Sequence, residues 1–397
     1  MNFTAEKSLN RLADTIWNDI KSIFIILFSL RKKKPNSKKH LGPLSPYGLR
    51  HWNPRKNISE LAPGYFSLVM ATGIVSIAAH NYHFTFIAHG LLYFNIAAYL
   101  WLVILTAMRF IMYWERGVAD FFNLNKSPGF LSFVAGSAVL GSQFTLIWSH
   151  YGLGIIMYFL SVCTWVFLIY TFFTVITIAE NKPYFTKSIN GLWLLIIVAT
   201  QSIAVLGILL VQHFGYHAQA VLFFSLLLFL CGCMFYIIII TFITFRMSFF
   251  DLTAHEFAPS YWINMGATAI SVLAGSLLIS NAQNWDFLIS ILPFLKGFTL
   301  LYWAIGTWWI PFIVIMGIWR TVLKHLPLKY HPLYWSMVFP LGMYTVCTSE
   351  MATALNLPFL EKIPAVFVYI AIGSWIVAFI GMLGYYIKHP VFKEGYP

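Results

Sequence analysis

Ten apolar stretches, each about 20 residues long or longer, fill this chain from residue 62 to residue 387. A helix of that length crosses roughly 30 Å of hydrocarbon. Hydrocarbon offers no partner to an open backbone, so a chain that lives in it must close its hydrogen bonds within helices or a barrel, and blocks this long and apolar read as helices. Hydropathy places the spans at 62–80, 86–110, 129–147, 151–178, 190–212, 218–245, 258–280, 287–323, 333–355 and 363–387. Of the 397 residues 59% are apolar and 10% charged, against about 25% charged in a soluble domain. A soluble fold is excluded.

Two connections, Trp148–His150 and His213–Tyr216, are so short that the helices they join must run antiparallel. The spans therefore read as five helical hairpins. The eighth block is too long for one perpendicular helix and contains Pro293 and Pro311, which predicts a kink or a projection beyond the bilayer. With the N-terminus in the cytoplasm, the basic run Arg31–Lys39 and Arg50, Arg55, Lys56, Arg109, Arg116, Lys126, Lys182, Lys187, Arg246, Arg320, Lys324, Lys329, Lys388 and Lys393 all lie inside. Only Lys362 then lies outside. The expectation is a multi-pass protein of the cell membrane, plasma or inner, with both ends cytoplasmic. Its parts are an N-terminal extension over 1–57, a ten-helix domain over 58–390 and a tail over 391–397. Within the extension, Ser22–Leu30 precedes its basic run and is too short to span. It reads as an interfacial helix held by Trp17, Phe24, Ile25 and Arg31–Lys34, or as a plain tail.

The net charge of +12 is spread along the flanks of apolar blocks. That pattern suits a lipid surface and gives nucleic acid no matching patch. Cys163, Cys231, Cys233 and Cys347 fall inside spans and read as packing thiols. No phosphate loop, His-Glu-x-x-His pattern or nucleophile elbow occurs, and the histidines are scattered. Neither an enzyme nor a bound cofactor or metal is expected.

The odd-numbered spans are richer in Gly, Ser, Thr, Asn and Gln than the even ones. Polar groups turn away from lipid, so the odd helices are expected to form an inner ring and the even ones an outer ring. Small residues also permit close helix packing, but packing alone would not select every second helix. A path lined by the odd helices is the expectation. In the seventh span Asn264, Thr268, Ser271 and Gly275 share one stripe. The full lining expected is Thr72, Ser76, Gly129, Ser132, Gly136, Gln143, Gln201, Asn264, Thr268, Ser271, Ser336, Gly342 and Val346.

The ninth span places Phe339 directly before Pro340. A proline within a helix removes a donor and bends the chain, which can aim the preceding ring at the path. There it would block and dewet a narrow conduit. The alternative is packing between helices, as for most of the 37 phenylalanines. Glu350 follows eleven residues later on nearly the same helix face. It reads either as an outer-mouth selectivity or proton site, or as a structural partner for Lys296 of the eighth span.

Three segments carry a resemblance: Pro63-Gly-Tyr-Phe66 with Met70-Ala-Thr-Gly73, Pro259-Ser-Tyr-Trp-Ile-Asn-Met-Gly266, and Trp335-Ser-Met-Val-Phe339-Pro340. Over residues 60 to 390 the chain resembles the tellurite-resistance and C4-dicarboxylate transporter family, which includes plant slow anion channels and fungal malate and sulfite transporters. The resemblance implies a homotrimer in which each protomer has its own pore of five inner helices within five outer ones. It also implies a pore-blocking phenylalanine at Phe339 and a small anion as substrate. The seventh and ninth spans look closer to the malate-transporter branch; the resemblance assigns no role to Glu350, which is read from this sequence alone. Passive anion conduction and proton-coupled dicarboxylate or sulfite transport both remain open, and a membrane sensor is the non-transport alternative.

Overall fold

The computed structural model describes residues 58–179, 184–327 and 330–388. The N-terminal extension with its expected interfacial helix, and the tail 391–397, lie outside the described residues. What is described is helical, with no strand among the described residues. Ten long helices follow the expected spans: α1 Ser67–Asn81, α2 Thr85–Met112, α3 Leu131–Leu146, α4 Tyr151–Ile178, α5 Leu195–Leu209, α6 Ala218–Phe249, α7 Ile263–Ser280, α8 Leu292–Ile318, α9 Trp335–Leu355 and α10 Lys362–Lys388.

Nine helical stretches among the described residues are long and apolar enough to cross a membrane. The stretch not among them is α9. Its 21 residues suffice in length, but Ser336, Gly342, Thr345, Thr348, Ser349 and Glu350 dilute its hydropathy. The eighth block is interrupted at Ile291, after a short helix Asp286–Ser290; α8 then starts with Pro293 in its first turn, carries Pro311 inside and ends in a π turn, Trp319–Leu323.

Each odd helix packs on the next odd helix, α1 on α3, α3 on α5, α5 on α7, α7 on α9, and α9 back on α1, which closes a ring. Each also packs on the even helix that follows it. Burial separates the two sets. The span windows ending in α3, α5 and α7 are each 89% buried, whereas those of α4 and α8 are 22% buried. The even helices present side chains such as Trp101, Tyr170 and Val377 outward, the surface that lipid requires.

A 3-10 turn leads into every odd helix: Pro63–Phe66, Ser127–Phe130, Gly191–Leu194, Pro259–Trp262 and Pro332–Tyr334. Proline suits such a start, since the first N–H groups of a helix have no internal partner. Four turns have proline in their first two positions. The third instead uses Asn190, whose side chain accepts from the Leu192 N–H at 2.8 Å. These turns also touch in sequence around the ring and form a collar at its N-terminal end. At the seam between the third and fourth turns the backbones meet. A Cβ on Gly191 would stand 2.4 Å from the carbonyl carbon and oxygen of Ser260, so glycine is needed there.

Candidate functional site

Inside the ring, at the C-terminal ends of the odd helices, lies a cavity of about 60 Å³ to which all five contribute. Its lining follows from one register. Counted from Pro63, Ile74, Ile77 and Asn81 lie 11, 14 and 18 residues on. The same offsets from Pro128 give Val139, Ser142 and Leu146, and from Gly191 they give Ser202, Val205 and Leu209. From Pro259 they give Ile270, Leu273 and Leu277, and from Pro332 they give Met343, Val346 and Glu350. At 100° per residue these offsets fall within a wedge of roughly 60°, one face of each helix. The collar therefore sets five helices to one depth, and each presents the same three rungs.

Exposure rises outward along the cavity. On the deepest rung Ile74, Ser202, Ile270 and Met343 are buried, and on the outermost Asn81, Leu146, Leu209 and Glu350 are partly exposed. One turn deeper on the same faces, seven residues from the collar, come Met70, Ala135, Val198, Gly266 and Phe339, all buried. By register, one rung beneath the residues that line the cavity, they stand as its floor. Phe339 is the largest of the five, with Met70 next, and α9 continues through Pro340 without a break.

The lining is mostly aliphatic, which differs from the expectation. Of the candidates, Val346 and Glu350 line this cavity. The other candidates spend their polar groups or their smallness between helices. Thr72 accepts from the Trp375 indole N–H of α10 at 3.0 Å, and Ser76 donates to the Ala88 carbonyl of α2 at 2.7 Å. Gln143 accepts from the Asn95 amide of α2 at 2.6 Å, and Gln201 donates to the Phe229 carbonyl of α6 at 3.0 Å. Asn264 accepts from the Tyr236 hydroxyl of α6 at 3.0 Å. Thr268 donates to the Met265 carbonyl and Ser271 to the Ala267 carbonyl, within α7 itself. Gly129 and Gly136 admit the Pro63–Phe66 turn and Val69, and Gly342 admits Ile74. Ser132 bonds to the carbonyls of Pro63 and Gly129, and Ser336 reaches Ser67 at 3.4 Å. By register Ser132 and Ser336 lie on the inner face below the floor, four residues from Pro128 and Pro332.

Two hydroxyls do face the cavity, Ser142 and Ser202. Both return their protons to their own helix, to the carbonyls of Ala138 at 3.0 Å and Val198 at 2.7 Å. The one ionisable group in the lining is Glu350. Lys296 is exposed on α8 and forms no ion pair with it, which removes the structural pairing as an account of Glu350. Near the mouth the Ser349 hydroxyl donates to Glu361 at 3.5 Å.

The collar end is built from charge. Arg109, at the end of α2, is buried against Asp120, which Lys126 also contacts at 3.1 Å. Arg246, at the end of α6, donates to the Ile189 carbonyl and to the Tyr261 hydroxyl at 2.9 Å. Glu256 meets the same guanidinium at 3.5 Å. Among the described residues no cluster of ligating side chains could hold a metal ion, and all four cysteines are free. Cys233 and Cys347 are buried packing thiols, Cys231 is half-buried, and Cys163 is exposed on α4 instead of packed.

Residues 60–383 match the family model described as voltage-dependent anion channel, SLAC1. An uncharacterized transporter of Methanocaldococcus jannaschii is 24% identical over 352 residues, 85% of this chain and 98% of the relative. A second from that organism is 22% identical over 352 residues, 85% of this chain and 96% of the relative. An uncharacterized membrane protein of Mycobacterium tuberculosis is 35% identical over 148 residues, 37% of this chain and 75% of the relative.

Proposed function

Since the chain belongs to the voltage-dependent anion channel (SLAC1) family, we propose that the five-helix cavity is the outer section of an anion path and that Phe339 closes it. The observation that carries this reading is the floor. On the five inner faces that line the cavity, the next rung down is filled by one large ring among Met70, Ala135, Val198 and Gly266. An aliphatic wall with no lysine or arginine holds an anion weakly, which suits rapid passage over tight capture. The substrate in this reading is a small anion, inorganic or a C4-dicarboxylate such as malate, and the assembly is a homotrimer with one path per protomer.

The collar is the cytoplasmic end in this reading. Arg109, Arg116, Lys126, Arg246, Arg320 and Lys324 lie on that side of the helices, in keeping with the excess of basic residues on cytoplasmic loops. The membrane is the cell membrane.

The test is flux through purified protein in liposomes, comparing chloride, nitrate, sulfite and malate. Phe339→Ala is expected to raise flux of the conducted anion about tenfold or more, the scale of a closed population turned open. Flux equal to that of the unaltered protein would remove Phe339 as the closing element.

A second reading has one observation in its favour: among the described residues Glu350 is the only ionisable group lining the cavity, and it stands at the mouth. A carboxylate there repels an incoming anion until it takes up a proton, so anion entry and proton entry would be coupled. This is proton-coupled uptake of a dicarboxylate or of sulfite.

A further inference from the structure

The Phe339 ring lies against a residue with no side chain. A Cβ built on Gly266 would stand 3.0 Å from both Cδ1 and Cε1 of Phe339 and 3.1 Å from Cγ of Pro340. These are the nearest atoms around that glycine outside its own helix segment, and real Cβ contacts are seldom so close. Gly266 holds the register on α7 that Phe339 holds on α9, seven residues from Pro259 and Pro332 respectively. The two helices are neighbours in the ring. On the other side of α9, α1 presents Met70 on the same rung. The ring therefore rests where the floor has a vacant place, on the α7 side.

Helix stability does not account for that glycine. Within a helix it costs roughly 0.5–1 kcal/mol relative to alanine, and Gly266 is buried within α7. The space it leaves is the space the aromatic edge and the proline ring fill.

We propose that Gly266 is the seat of the closing ring: a positioning residue that sets the closed population of Phe339 by leaving room for it across the floor. A side chain at Gly266 would make the seated rotamer overpacked, and overpacking moves side chains out of their wells. The inference rests on Phe339 closing the path, and the experiment separates the two.

Four proteins are compared in liposomes for nitrate and chloride flux per reconstituted molecule: unaltered, Gly266→Ala, Phe339→Ala and the double variant. Gly266→Ala is expected to raise flux on the order of tenfold, the effect of overpacking by about 1.4 kcal/mol. The double variant is expected to match Phe339→Ala, because without the ring the added methyl meets only Cγ of Pro340 at 3.1 Å, which does not close the path. A merely structural glycine would lower flux in both backgrounds. Flux in Gly266→Ala that is unchanged or reduced, or a double variant in which the two increases multiply, overturns the proposal. No increase in Phe339→Ala overturns the gate and the seat together. If Gly266→Ala does not reach the membrane, the comparison moves to Phe339→Leu with and without Gly266→Ala. Equal flux in that pair, both above the unaltered protein, supports the seat, and unequal flux overturns it.

Discussion

Glu350 shows how little a residue's type says without its neighbours. A carboxylate in a membrane helix is costly unless it is paired or wet, and the pairing open to it from the sequence was Lys296. That lysine is exposed on α8, while Glu350 reaches the cavity mouth on the same rung as Asn81 and Leu146. If entry is coupled to protonation here, Glu350→Gln abolishes the dependence of uptake on an imposed proton gradient in liposomes. Uptake that keeps its pH dependence in the variant would leave passive conduction as the better reading. The small polar residues teach the same lesson in reverse. Inwardness in a membrane means only away from lipid. Thr72, Ser76, Gln143, Gln201 and Asn264 point away from lipid into contacts with even helices. Composition distinguishes lipid from everything else, but not a wall from a seam.

At the scale of the element, the long helices were legible because hydrocarbon fixes their length. The lining was not, because it depends on depth, and depth is set by the collar. The signal for it was in the sequence all the same. Pro63-Gly-Tyr, Pro128-Gly-Phe, Gly191-Leu-Trp, Pro259-Ser-Tyr and Pro332-Leu-Tyr each set an aromatic two residues after a helix-starting residue. Aligning the odd helices on those starts gives the rungs at once, including the rung of Phe339, which the sequence reached by resemblance. The collar also carries its own stability test. Gly191→Ala places a methyl against the Ser260 backbone, which cannot turn aside as a side chain can. A loss of about 1–3 kcal/mol or more is expected, read as a lowered Tm of the purified protein. Gly64→Ala, with nothing within 4 Å of the new methyl, should leave the Tm nearly unchanged. Equal losses at both positions would show that the collar does not depend on the close approach of its third and fourth turns.

At the scale of the whole molecule, the two ends of the helix ring differ in chemistry. Buried arginines anchored to carboxylates, a hydroxyl and a carbonyl tie the collar end. Four of the five links at the other end use a left-handed residue, His83, Ser149, Gly215 and Asn356, and Lys362, the first residue of α10, is the one lysine or arginine beside them. That asymmetry predicts orientation. Tyr216, in the link between α5 and α6, is 98% exposed. In Tyr216→Cys, with Cys163 replaced by Ser to remove the exposed thiol, a membrane-impermeant maleimide should label intact cells. Labelling only after the cells are opened would reverse the topology.

The floor has one aromatic member and one vacant place, so its five positions are unequal where they meet. A five-fold iris must turn all its blades together; this floor needs one ring to leave one seat. Side-chain rotation takes picoseconds to nanoseconds when unhindered, and helix rearrangement microseconds or longer. Individual openings are therefore expected to be brief and independent between protomers. Whatever regulates the current would act by changing how often the ring is away, not by how far the helices move.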